Sequence, residues 1–164
     1  MDTIQAIMQR RSVRAYRPQP IPERDLMTIL ECGRQAPSAS NRQPWRFMVA
    51  TEANLKRQVA RACLNQNWMA DAGAIVAVVA FPEVSPNWYA VDAAIVLQTM
   101  VIAARSLGYG TCWIGAFRED EVRALLKVPA GARVVALSPI GVPVEWPAAR
   151  ERKGAAETFA IDPK

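Results

Sequence analysis

The sequence feature that most limits the fold is an apolar stretch with helical spacing at residues 88–107. Its apolar side chains lie almost all the way round the helix, and such a helix belongs at the centre of a domain or in a subunit interface. Its most apolar part contains Gln98 and Thr99 and lies between Asp92 and Arg105, which leaves it too short to cross a bilayer. We therefore predict a buried helix around which the rest of the chain packs.

Shorter patterns predict the elements around this helix. Helical spacing indicates four further helices, at residues 3–10, 22–36, 55–63 and 119–127. Apolar runs indicate strands at residues 45–50, 74–81 and 133–142, with a short strand or turn at 111–117. The order is not a clean βαβαβ alternation, which argues against a Rossmann sheet. We predict a single α+β domain over residues 1–164, ending in an extended basic tail from about residue 143.

The composition fits one compact domain. The chain has 164 residues, of which 51% are apolar and 21% are charged, close to the values of ordinary soluble proteins. The first residues lack the apolar core of a signal peptide, so we expect a cytoplasmic protein without a membrane segment. The net charge of +5 suits a phosphorylated ligand, an anionic surface or nucleic acid, and the positions of the arginines must decide between them.

The absence of histidine excludes several kinds of catalytic site. Without histidine the chain holds no Ser–His–Asp triad, no Cys–His dyad and no histidine-ligated metal. The separations of Cys32, Cys63 and Cys112 match no zinc or iron–sulfur spacing, and their odd number argues against a disulfide framework. We therefore predict no metal site, and free thiols of a reducing compartment.

A basic segment follows the first predicted helix. Arg10, Arg11, Ser12 and Arg14 lie close together, just before prolines that prevent regular structure. Guanidinium groups donate planar, paired hydrogen bonds that suit phosphate. From composition alone, a solvated basic surface turn explains the pattern equally well.

Three further segments carry polar, glycine-rich or basic sequence. Residues 37–45 place hydroxyls and amides between two prolines. Residues 108–117 contain three glycines, which permit the close approach of a backbone or a flat ring, and residues 150–154 are basic. Each segment alone is typical of a turn or a solvated surface, and the glycine-rich one lacks the GxGxxG and GxxxxGK[ST] motifs of nucleotide-binding loops.

Taken together, these segments resemble the nitroreductase family of flavoproteins. The matching blocks are RRSVRAY followed by P-x-P-I-P, then PSASNRQPWRF, LGYGTCWIG and a basic K/R-x-R stretch in the tail. They occur in the family's order and cover the chain from Ile4 to about Glu157. The resemblance implies an α+β fold whose mixed or antiparallel sheet is flanked by helices, in an intertwined homodimer with two FMN molecules at its interface.

The resemblance also implies roles for residues of the first basic segment. Arg14 matches the cation near flavin N1 and the C2 carbonyl. Arg10 and Ser12 match contacts to the ribityl chain and the phosphate, with Arg11 alongside. A cation beside N1 stabilises the anion of the reduced flavin, which is how a protein tunes this cofactor.

Other parts of the chain complete the implied site. Arg150 and Arg152 match a basic pair that closes on the phosphate, and Gly115 matches the backbone donor that faces flavin N5. The remaining implied contacts are Trp113 and Ile114 beside the ring and, from the second subunit, Pro37, Ser38, Ala39 and Asn41. Ala39 stands where many members have Ser or Gly, which removes one hydroxyl contact.

The implied reaction is a two-step, ping-pong hydride transfer that needs no acid or base side chain. NAD(P)H passes a hydride to FMN N5 and leaves, and a nitroaromatic, a quinone or a similar electron-poor compound then takes the electrons. An enoate or dehydropeptide reductase, a dehalogenase and a flavin-consuming enzyme are alternatives within flavin chemistry. A non-catalytic FMN carrier or sensor and a nucleic-acid-binding module are the others, and the five scattered tryptophans argue against the last.

Overall fold

The computed structural model describes residues 1–161, which fold into six α-helices and four strands, with short 3-10 helices at Ala39–Asn41 and Asn67–Asp71. In chain order the α-helices and strands are α1 (Thr3–Gln9), α2 (Glu23–Arg34), β1 (Trp45–Ala50), α3 (Ala53–Ala62), β2 (Ala74–Ala80), α4 (Tyr89–Ser106), β3 (Gly110–Thr111), α5 (Glu119–Leu126), β4 (Arg133–Gly141) and α6 (Ala155–Thr158). The predicted helices and strands are present with slightly displaced ends, and the segment 111–117 is strand only at β3. The predicted α+β class is confirmed.

The strands form one antiparallel sheet in the order β1–β2–β4–β3. All seven residues of β2 are buried inside this sheet. Ile75, Ala77 and Val79 pack with side chains of α3 and α5, whereas Val76 and Val78 pack with side chains of α2 and α4. Because successive side chains of a strand point to opposite faces, a sheet covered on both faces requires the continuous apolar run that the sequence shows.

Helix α4 is the predicted central helix. Leu97 and Met100 are 1% exposed and pack with Ile29 of α2 and with Val76 of the sheet. Burial of each such side chain contributes about 1.5–3 kcal/mol. By length and composition α4, with 18 residues and a mean hydropathy of 1.2, is the one helix in the described part that could cross a membrane. In this structure it packs against α1, α2 and all four strands.

In helix α1, unlike α4, the predicted apolar face is not buried. Asp2 caps its first turn, because the Asp2 carboxylate accepts a hydrogen bond from the Gln5 backbone N–H at 2.8 Å. The apolar face predicted for this helix, formed by Ile4, Ile7 and Met8, lies on the surface, with 50–71% of each residue exposed. Only Ala6 is buried. The face is therefore available to a partner surface.

The tail departs from the predicted extended form at one place. Residues 147–153 have no regular structure, but α6 forms one short helical turn. The Glu157 carboxylate starts that turn by accepting a hydrogen bond from the Gly154 N–H at 3.1 Å. Residues 162–164, the end of the predicted tail, lie outside the described residues.

The edge of the sheet fixes the course of the basic segment that follows α1. Ser12 pairs in parallel with Thr111 of β3, and the Val13 N–H donates to the Thr111 carbonyl at 2.9 Å. Further on, the Arg17 N–H donates to the Val142 carbonyl just after β4. The segment therefore runs along an edge that would otherwise be unpaired, and the pairing fixes its register.

Gly110 allows this close approach, and replacing it tests the arrangement. A Cβ at Gly110 would lie 2.7–3.0 Å from side-chain atoms of buried Val13, whereas a Cβ at Gly115 would have no neighbour within 4 Å. Because Val13 is β-branched and buried, we expect Gly110→Ala to lower the free energy of unfolding by about 1–3 kcal/mol. In urea titrations of both variants, Gly115→Ala serves as the matched control. Equal stability of the two variants would contradict the close approach.

Candidate functional site

A surface cavity of about 840 Å³ brings together residues from both ends of the chain. Its lining contains all of the predicted basic residues together with Ser12: Arg10, Arg11, Ser12, Arg14, Arg150 and Arg152. Residues of α1 and of the tail, including Glu145, complete the wall. Two segments that lie about as far apart as the sequence allows thus face one volume, which is large enough for a cofactor-sized ligand.

The cavity is strongly basic. Arg11 is held by the chain itself, since its Nη1 donates to the carbonyls of Met8 and Arg10 at 3.0 and 2.8 Å. Among residues 1–161, the ion pairs are Arg34–Glu31, Arg118–Glu121 and Arg133–Glu119, so none involves a cavity arginine. Guanidinium groups without an internal counter-ion favour binding of an anion such as phosphate.

The segment that follows β3 lies directly beside the basic one. Burial raises the pKa of the Cys112 thiol, while the charge of Arg14 and a hydrogen bond from Ser12 oppose that rise. Ser12 pairs with Thr111, the residue before Cys112, and burial leaves the thiol protonated and unreactive near neutral pH. Cys32 and Cys63 are also unpaired thiols, as predicted.

The three residues predicted to contact the flavin ring follow Cys112, and they differ in their exposure to a ligand. Trp113 is partly exposed, and its indole N–H donates to Oε1 of Gln98 on α4 at 3.1 Å. Gly115 is exposed and borders open space. Ile114 is 2% exposed, its side chain packs in the core, and its N–H and carbonyl are both paired with Leu137. Within this chain, therefore, the side chain of Ile114 is buried and its backbone N–H is already paired.

The loop at residues 37–44 is not part of the cavity wall within one chain. The Ser38 hydroxyl accepts a hydrogen bond from the Gln43 N–H at 2.9 Å and so closes the loop on itself. Three of its non-glycine residues have a positive φ: Ser40, Asn41 and Gln43. Left-handed backbone at such residues persists only when the surroundings enforce it, and it occurs often at ligand-binding sites. Pro37, Ser38, Ala39 and Asn41 therefore belong to one closed loop, and none of them lines the cavity of its own chain.

Asp92 enforces this loop, and the sequence pattern did not assign it a role. Asp92 is 1% exposed in the first turn of α4. Its carboxylate accepts hydrogen bonds from the Ala39 N–H at 3.0 Å and from the Ser85 hydroxyl at 3.1 Å. The only sign of such a role in the sequence was a carboxylate in a stretch that is otherwise mostly apolar. The negative charge is also favoured by the positive end of the helix dipole.

Fold and cavity define an α+β protein with a basic, ligand-sized cavity beside a glycine-containing sheet edge. A comparison with known families identifies the group: the sequence profile of the Nitroreductase family matches residues 7–74 and 61–142, which together span most of the chain. The chain belongs to the nitroreductase family, as the resemblance predicted.

Individual relatives agree with this assignment. A putative NADH dehydrogenase/NAD(P)H nitroreductase of Archaeoglobus fulgidus is 30% identical over 149 residues, covering 87% of this chain and 86% of that protein. An FMN reductase (NAD(P)H) of Bacillus subtilis is 28% identical over 173 residues, covering 92% and 70%. A solved structure of a nitroreductase family protein from Clostridium novyi has a TM-score of 0.81 and 34% identity, covering 87% and 86%. The predicted nitroreductase fold is thereby confirmed, and the chain is an oxidoreductase.

Removing the Asp92 carboxylate tests its hold on the loop. Asp92→Ala leaves the partly buried Ala39 N–H and the buried Ser85 hydroxyl without their acceptor, so we expect unfolding to require about 1–3 kcal/mol less free energy. Asp92→Asn retains one carbonyl oxygen and is expected to fall between this variant and the wild type. Urea denaturation provides the measurement, and exposed Asp71→Ala is the control with an expected change below about 0.5 kcal/mol. If Asp92→Ala is no less stable than Asp71→Ala, the loop does not depend on this carboxylate.

Proposed function

We propose that the protein is an FMN-dependent oxidoreductase that uses NAD(P)H to reduce nitroaromatics, quinones or similar electron-poor compounds. The observation that carries the proposal is the convergence of arginines from both ends of the chain on one cavity, without ion pairs of their own. The named relatives support it, because one is called an NAD(P)H nitroreductase and another an FMN reductase.

The residues present fit FMN. A phosphate monoester carries up to two negative charges and three acceptor oxygens, which matches the paired donors of Arg10, Arg150 and Arg152. A flat ring requires an adjacent surface without protruding side chains, and Gly115 borders such open space. Ser12 pairs with Thr111, next to the 112–115 segment, and Arg14 follows Ser12 by two residues. A phosphate region and a ring region are therefore adjacent, as one ligand with both parts requires.

In this proposal the chain binds, orients and polarises the flavin, and it supplies no acidic or basic side chain to the reaction. When bound, FMN would supply the hydride chemistry, by accepting a hydride from NAD(P)H at N5 and passing it on to the second substrate. Arg14 would hold positive charge beside the ring, where reduction builds up negative charge. The exposed backbone of Gly115 would orient the ring edge, with Trp113 beside it. A chain without histidine can do all of this.

A second subunit is part of the proposal. The loop that carries Pro37, Ser38, Ala39 and Asn41 lies away from the cavity of its own chain, so these residues reach a flavin only from a partner. Exposed apolar side chains on α1 and α4 offer the surface for such a homodimer: Ile4, Ile7, Met8, Val91 and Ile95. Burying exposed apolar side chains of this kind favours association, and twofold symmetry is the commonest arrangement.

We further propose a cytoplasmic protein that binds neither nucleic acid nor membrane. The cavity arginines converge on a pocket and do not form a stripe with interleaved aromatic side chains, which is the arrangement that single-stranded nucleic acid favours. The same convergence fits a small phosphorylated ligand.

Comparing FMN with riboflavin tests the role of the arginines. Arg150→Gln and Arg152→Gln remove cations from the phosphate region, so we expect each to weaken FMN binding about tenfold, the weak end for a charge-assisted hydrogen bond. Riboflavin has no phosphate, and its affinity should not change. Fluorescence titration of both flavins measures the two dissociation constants, with Arg24→Gln, at an exposed residue of α2, as the control. Equal losses for both flavins would contradict the phosphate assignment.

Turnover separates the proposed reaction from its alternatives. The FMN-loaded protein should oxidise NADH or NADPH, and a nitroaromatic or quinone acceptor should then be reduced with the FMN recovered intact. Recovery is measured by chromatography of the flavin after many turnovers. Loss of FMN in proportion to turnover would identify a flavin-consuming enzyme. A flavin that neither nucleotide reduces would identify a carrier or sensor.

Gly115→Ala tests the ring region independently of the phosphate. The added methyl meets no protein atom within 4 Å, so the folded chain should tolerate it. If a ring lies against this backbone, the methyl intrudes on it and weakens binding of FMN and of riboflavin alike, by about tenfold, as expected for overpacking. The same fluorescence titrations measure both affinities. Unchanged affinity for both flavins would place the ring elsewhere.

A further inference from the structure

Arg105, in the last turn of α4, makes a contact that no implied site role includes. Its guanidinium carbon lies 3.8 Å from the centre of the Trp146 ring. A cation in this position is attracted by the negative face of the indole, and the planar guanidinium can stack on it. Trp146 belongs to the tail and precedes Arg150 by four residues. The contact therefore joins the tail that carries two cavity arginines to the central helix.

Arg105 is also held on its other side. Its Nη2 donates to Oε1 of Gln9, the last residue of α1, at 3.1 Å. Its Nε is buried and has no hydrogen-bond partner within the described residues. Burial lowers the pKa of Arg105, and the nearby charge of Arg11 lowers it further. One N–H of Arg105 is unsatisfied, so hydrogen bonding does not fully compensate for the burial of its guanidinium group. Stacking against Trp146 supplies a further attraction.

The tail has few other attachments near the cavity. The Val144 N–H donates to the Ala15 carbonyl at 3.0 Å, and the next hydrogen bonds along the chain are internal to α6 and its first turn. In the part of the chain that the structure describes, residues 145–153 make no hydrogen bond. Within the described residues, the Trp146 ring contact is therefore the polar attachment nearest to Arg150 and Arg152. Without it, the closest hydrogen bond to the rest of the domain would be the one made by Val144.

We propose that Arg105 and Trp146 are positioning residues for the cavity, acting as a latch on the tail. Their stacking confines the tail, so that Arg150 and Arg152 stay close to the basic segment that follows α1. A confined tail has lost conformational freedom before a ligand binds, and binding then requires less additional ordering. The inference rests on the proposed function only for the identity of that ligand.

Limited proteolysis tests the latch without any flavin. Trypsin cleaves after Arg150 and Arg152, and mass spectrometry gives the rate at these two bonds. We expect Trp146→Ala to raise that rate about threefold to tenfold, the range that corresponds to loss of one cation–π contact. Trp146→Phe keeps an aromatic face and should restore most of the protection. Phe159→Ala, which removes a 69% exposed aromatic residue from the same tail, is the matched control.

Flavin affinity tests the consequence for binding. Trp146→Ala should weaken FMN binding by a similar factor, and Trp146→Phe should rescue it, while the free energy of unfolding stays that of the wild type. Arg105→Gln should have the same effect. The double variant Arg105→Gln/Trp146→Ala should be no weaker than either single variant, because two residues that act through one contact are not additive.

These experiments distinguish failure of the proposed Arg105–Trp146 latch from failure of the proposed FMN binding. Wild-type proteolysis rates in Trp146→Ala, or fully additive losses in the double variant, would overturn the latch and leave the proposed function standing. A wild-type protein that binds no FMN would overturn the proposed function, while the proteolysis rates would still decide whether the latch holds the tail.

Discussion

The burial of α4 is the interaction on which the rest of the structure depends. This helix packs between α2 and the sheet, and it supplies five of the fifteen buried residues of the apolar layer on that face. Because nearly all of its circumference is apolar, leaving it exposed would be unfavourable in water. Both of its ends carry charge: Asp92, which is buried, in the first turn and Arg105 in the last. A single rigid element thus reaches both the 37–44 loop and the tail.

The second constraint is electrostatic. Arginines from residues 10–14 and 150–152 share one cavity, and like charges that approach each other are unfavourable. The backbone offsets this repulsion in part, since Arg11 donates hydrogen bonds to two carbonyl groups. An anionic ligand would complete the compensation. A site of this kind is expected to gain stability when its ligand binds.

The sequence predicted the elements well, because each of them carries a local signal. The continuous apolar run at β2 indicates a strand that is buried on both faces. The almost wholly apolar sequence of α4 indicates a helix that is buried around most of its circumference. The tail was harder, since α6 is a single turn that a short-range Glu157 contact starts. The burial of Ile114 was missed for a similar reason: its pairing with Leu137 is made by residues 23 positions away, and no local pattern indicates it.

By itself the sequence determined which elements form, that histidine chemistry is absent, and which family the ordered motifs resemble. It also supplied the basic residues, since residue identity carries the charge. Only the tertiary structure decided that the first basic segment and the tail share one cavity, that Asp92 holds a loop 53 residues away, and that Trp146 stacks on Arg105. The physical reason is that periodicity reports local burial, whereas contacts between distant segments depend on how the buried elements pack.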